Sequence, residues 1–178
     1  MTSNEIQPPL ERVYDLNRLP EAGYEAEIAA SSEDRAKLAA WAEVVSVEEF
    51  AGQVSLRRLS ATRFSYAARL AAQITQSCTV TLEPVASRIV LDFARVLHLV
   101  SRIKGTLDIS GELSPAAAED LVPEEIDDPR FDLAAPLLEE FLLAIDPYPR
   151  LPGVEFEAPS EAQEQQNGPF AVLKGLKA

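Results

Sequence analysis

The stretch from Thr62 to Ile74 constrains this chain more than any other. Thr62, Phe64, Tyr66, Ala68, Leu70, Ala72 and Ile74 alternate with Arg63, Ser65, Ala67, Arg69, Ala71 and Gln73. A period of two is that of a β-strand, whose successive side chains leave opposite faces. One face of this strand is apolar and needs a cover. The other is small and polar and carries two arginines six residues apart. Such a strand fits an antiparallel sheet with one face on a core and one in water.

Other segments supply partners and cover. Residues 12–16 read as a short strand. Tyr24, Ala26, Ile28 and Ala30 alternate with Glu25, Glu27 and Ala29, a second half-buried strand. Ile89, Leu91 and Phe93 alternate with Val90, Asp92 and Ala94, and this strand can extend through Leu97 and Leu99. A helix starts at Ser31 or Ser32, with Glu33 and Asp34 suited to its positive N-terminus. Its apolar stripe is Leu38, Trp41, Ala42 and Val45, with Trp41 a core anchor. A second helix runs from Asp132, as cap, to Ile145, and Asp146-Pro147 stops it. The expected fold class is α+β: a mainly antiparallel, partly closed sheet of about five to seven strands, two principal helices and a flexible acidic C-terminal tail.

With 178 residues, the chain supports one core and not two full domains. Residues 10–150 form the expected domain, with an acidic loop at 105–129 inside it. Residues 151–168 read as a polar linker, and residues 169–178 as an apolar peptide that docks somewhere. The first ten residues lack a basic and an apolar region, so no signal peptide is expected. No apolar run reaches the roughly 18 residues of a membrane helix. One cysteine, Cys78, and one histidine, His98, are too few for a structural zinc site. A reducing, cytoplasmic setting is expected.

Net charge is −13, which on its own argues against nucleic acid. The distribution argues differently. Arg57, Arg58, Arg63, Arg69, Arg88, Arg95, Arg102 and Lys104 face only Glu83 and Asp92 within residues 57–104. That span balances at +6 and leaves −19 for the rest of the chain. Solvated strand faces would give the same run, and that reading stays open. If a strand continues from Arg57, this residue shares the parity of Arg63 and Arg69. The acid pairs Glu124-Glu125 and Asp127-Asp128 read as solvated loop residues, not as acid–base catalysts. His98 reads as a strand residue without a catalytic partner. There is no Gly-rich phosphate loop, nucleophile motif or metal cluster, so no enzyme and no cofactor are expected.

Three blocks carry a resemblance. The first is Cys78-Thr79-Val80-Thr81-Leu82-Glu83-Pro84. The second is Phe131-Asp132-Leu133, followed by the run from Leu137 to Arg150. The third is Pro169-Phe170-Ala171-Val172-Leu173-Lys174-Gly175-Leu176-Lys177. Their order and spacing resemble the YceD family, the large ribosomal RNA subunit accumulation proteins, over most of residues 10–178. Cys78, Leu82, Glu83 and Pro84 are the signature positions. The resemblance implies a factor needed for large-subunit rRNA to accumulate. Some family members have a second cysteine three residues after the first and another after the helix, suggestive of metal. Here those positions are Thr81 and the Arg150 region, so no metal role is carried over, and Cys78 reads as a packing residue.

Two modes of action follow as expectations. Arg57, Arg63 and Arg69 on a sheet face would contact rRNA or a pre-ribosome through phosphates. Alternatively, the acidic remainder, above all residues 108–128, would shield a basic ribosomal protein. Phe170, Leu173, Lys174 and Leu176 are the partner-binding candidates of the terminal peptide. No membrane contact is expected.

Overall fold

The computed structural model describes residues 8–100 and 123–155. Three long strands dominate it: β3 (Ser46–Arg58), β4 (Arg63–Ser77) and β5 (Pro84–Leu99). They form an antiparallel meander. β2 (Tyr24–Ala29) pairs antiparallel with the outer side of β3, and β6 (Glu124–Ile126) pairs parallel with the last residues of β5. The order is β2-β3-β4-β5-β6. A separate two-stranded ribbon joins β1 (Val13–Asp15) to β7 (Arg130–Asp132).

The expected partial closure is not found: the sheet is open, with β2 and β6 as its edges. The physical reason lies in the cover. The apolar face is capped by helix α2 (Ala135–Ala144), by the β1–β7 ribbon and by the 3-10 turn Leu16–Arg18, so the sheet need not curl over its own core. Phe64, Tyr66, Leu70, Ala72 and Ile74 of β4 are buried there together with Phe50, Leu137 and Phe141. Phe141 meets Phe50 edge-on at 5.3 Å between ring centroids. Gly52 lets α2 come close, since a Cβ there would lie 2.4 Å from Leu137 Cδ1. Tyr66 donates its hydroxyl to the Leu133 carbonyl at 2.9 Å, which satisfies a buried polar group on each side.

Helix α1 (Ser32–Trp41) packs on β3. Ser31 caps it, and Ser31 and Asp34 form a reciprocal capping box. Leu38 and Trp41 face the core as expected, Trp41 only half-buried. Val45 does not join them. The helix ends at Trp41 and Glu43 turns left-handed (φ 55°), which leaves Val45 in solvent. Asp132 is not the cap of α2. It sits in β7 and accepts from the amides of Arg12 and Ala134, one step ahead of the helix. Residues 124–126, inside the stretch read as acidic loop, form β6.

Candidate functional site

Arg57, Arg63 and Arg69 do share a face, though not by the route the parity argument assumed. A turn separates Arg57 from Arg63: the amides of Leu59 and Ser60 both donate to the Arg63 carbonyl. Arg57 therefore lies on β3. The antiparallel register sets it opposite Ser65, which has the parity of Arg63 and Arg69, so all three side chains leave on the open side. On β5, His98 is opposite Arg63, Asp92 is opposite Arg69, and Arg88 is opposite Gln73. Arg88, counted in the basic span but not among the candidate contacts, belongs to the same face.

The face is mixed in sign. Register adds Glu25 and Glu27 from β2, Glu49 from β3, Asp92 from β5 and Glu125 from β6 to the four arginines. Arg69 Nε stands 3.9 Å from Asp92, with both side chains more than half exposed, so this pair contributes little. Arg57, Arg63 and Arg88 have no ion pair among the described residues. Arg57 and Arg63 flank Ser65 at one end of the sheet, and Arg69 lies about 20 Å farther along β4 by strand rise. Between them runs a shallow trough of about 600 Å³, floored by Ser55, Ala67 and Ala68 and edged by Glu25, Glu27, Arg69 and Asp92.

Two other basic residues of the 57–104 span leave this face altogether. Arg58 donates to the carbonyls of Leu16 (2.9 Å) and Leu19, with its guanidinium 5.0 Å from the Phe64 ring centroid. Arg95, opposite Tyr66, points to the core side. It binds Glu139 at 2.6 Å, Glu140 at 2.9 Å and Glu124 at 3.5 Å, tying β5 to α2 and β6. Burial opposes its charge, but the bonds to Glu139 and Glu140 outweigh that and raise its pKa. Arg102 and Lys104 lie outside the described residues. The positive span of the sequence is thus divided between two faces.

The signature block forms the tight connection between β4 and β5. Cys78 is fully buried. Its amide donates to the Glu83 carbonyl, and the Leu82 amide returns to the Cys78 carbonyl. Leu82 takes the left-handed conformation (φ 64°) and exposes its side chain. Hydrogen bonds from the Thr81 hydroxyl and amide, and from the amides of Leu151 and Val80, lower the Cys78 pKa to about 6. Thr79 donates both its amide and its hydroxyl to the Pro149 carbonyl, at 2.9 and 3.3 Å. The first and second blocks of the resemblance therefore meet in space. Among the described residues no group of three or more His, Cys, Asp or Glu is placed to hold a metal.

Phe170, Leu173, Lys174 and Leu176 lie outside the described residues, as do residues 108–122 of the acidic stretch. Among the described residues no helix is long and apolar enough to cross a membrane. Residues 67–177 match the family model described as large ribosomal RNA subunit accumulation protein YceD. That match runs from the middle of β4 through both later blocks. No curated protein and no solved structure matches the chain.

Proposed function

The chain belongs to the YceD family, and on that premise we propose that it is a cytoplasmic, non-enzymatic factor that supports large-subunit rRNA accumulation by touching rRNA. The observation that carries the contact is the placing of Arg57 and Arg63 as diagonal neighbours on β3 and β4, at one end of the sheet face turned away from α2. Arg69 and Arg88 extend the same face. A flat sheet suits RNA, whose bases and backbone are read by shape and single-stranded contact more than by groove insertion. The acidic residues of β2 lie along one edge, so a phosphate chain would track β4 past Arg63 and Arg69 rather than cross Glu25 and Glu27. No metal or organic cofactor has a part in this reading.

A second reading has its own observation. Net charge is −13, and the edge strand β2 puts Glu25 and Glu27 on the open face. A basic ribosomal protein would be drawn to that edge and to the acidic stretch before β6. The two readings separate in a pull-down from lysate at low and high salt, with and without RNase. Recovery of large-subunit rRNA that RNase abolishes, and that the triple variant Arg57→Glu/Arg63→Glu/Arg69→Glu loses, supports RNA contact. A basic ribosomal protein kept after RNase but released by salt supports the acidic shield.

A further inference from the structure

Among the described residues eight large apolar side chains stand exposed, and five of them, Val45, Leu82, Leu142, Leu143 and Tyr148, lie on segments tied to the same end of β4. Leu82 is 77% exposed, Leu143 79% and Tyr148 71%. Hydrogen bonds lock the segments that bear them. The Val45 amide donates to Thr75, Gln76 Nε2 donates to the Asp146 carbonyl, and Thr79 donates to Pro149. The apolar pole is therefore preformed, built from the start of β3, the β4–β5 connection and the segment after α2. Scattered exposed apolar residues need no explanation, whereas a gathered set marks a contact.

The chain itself leaves from this pole. Pro149 is bonded to the β4–β5 connection, the Val154 amide returns to Leu151, and the described residues stop at 155. Thirteen polar-rich residues (156–168) follow, and then a peptide with Phe170, Val172, Leu173 and Leu176. As a random coil, thirteen residues separate their ends by about 20 Å, enough to return to the pole they start from. The peptide carries Lys174 and Lys177, and the pole is rimmed by the exposed carboxylates of Glu83 and Asp146. Apolar surface, starting point and the carboxylates of Glu83 and Asp146 agree on one occupant.

We propose that residues 169–177 dock in cis on this pole, apolar side chains against Leu82, Leu143 and Tyr148 and lysines at Glu83 and Asp146. Tethering makes the contact intramolecular, with an effective concentration on the order of millimolar, so even weak affinity fills the site. The docked peptide covers the apolar pole and leaves Arg57 and Arg63 untouched, since those lie at the opposite end of β4. The inference does not rest on the rRNA reading.

Zero-length carbodiimide cross-linking of the full chain, mixed from ¹⁴N and ¹⁵N protein and mapped by mass spectrometry, tests this. The Lys37–Glu33 pair, 2.8 Å apart on α1, serves as an internal control. Docking in cis gives same-isotope links from Lys174 or Lys177 to Glu83 or Asp146. These links drop at least tenfold in Phe170→Asp/Leu173→Asp, since even half-burial of two apolar side chains is worth about 1.4 kcal/mol or more. Amide exchange at residues 80–82 and 142–148 speeds up in the same variant. A second variant, Leu143→Glu/Tyr148→Glu, removes the receiving surface and gives the same loss. Several results would overturn the proposal. One is a control link with no tail link, and another is lysines scattered over Glu25, Glu27 and Glu33. Mixed-isotope links would assign the pole to a second copy. Protection of the pole amides only on adding lysate would assign it to another protein.

Discussion

The two faces of the five-stranded sheet use the same residue type in opposite ways. On the core side Arg58 and Arg95 are bound to carbonyls, carboxylates and rings, and each holds two or more elements together. On the open side Arg57, Arg63 and Arg88 stand without an ion pair among the described residues, and Arg69 has only a long, exposed one. An arginine whose guanidinium is held by protein partners is a structural part. One with its donors in water is available to a ligand, and five N–H groups in a planar fork suit phosphate. The comparison predicts that core-side changes move stability and leave recognition alone, while open-side changes do the reverse.

The largest break comes from the core. Phe141→Ala removes a fully buried ring that packs edge-on against Phe50, and costs about 3–5 kcal/mol in urea unfolding. Next is Gly52→Ala, whose new methyl collides with the buried Leu137; overpacking of this kind costs about 1–3 kcal/mol. Arg95→Met leaves Glu124, Glu139 and Glu140 facing one another. The expected loss is about 1–2 kcal/mol, with amide exchange of β6 rising first. The β4–β5 connection gives a pH signature. Cys78 has its folded pKa near 6, below the usual 9, so between these values the folded state binds fewer protons than the unfolded. Stability therefore rises from pH 6 to pH 9, is fully present above 9 and fades as pH falls through 6. Cys78→Ala flattens that rise in thermal scans across this range. The smallest effect on stability belongs to the open face: Arg57→Glu/Arg63→Glu stays within about 0.5 kcal/mol of the parent per site.

How much of this the sequence disclosed depended on whether a feature is local. The alternation of β4 was legible because burial on one face writes itself into one strand, and Phe64 to Ile74 are buried where the pattern put them. A cap at Ser31 or Ser32 was legible from two adjacent hydroxyls followed by acids, and Ser31 takes the role. The composition of the open face was not. Glu25 and Glu27 showed their parity within β2, but only the register Glu27↔Gln53↔Arg69 brings them beside the arginines. Likewise the +6 span treated Arg95 as one more surface charge. Its position opposite Tyr66 turns it inward, where α2 supplies carboxylates from more than forty residues away. β6 was hidden because three residues of Glu-Glu-Ile have no strand pattern of their own and exist as a strand only through β5.

The central claim is that the open arginine face meets RNA. Its most direct test is the affinity of the purified full chain for a large-subunit rRNA fragment across a salt series, beside Arg57→Glu/Arg63→Glu/Arg69→Glu of matched thermal stability. The account predicts that the variant binds more weakly and that the slope of log affinity against log salt falls by about 2, roughly 0.7 per lost phosphate contact. Equal affinity and an equal slope in the two proteins would contradict it.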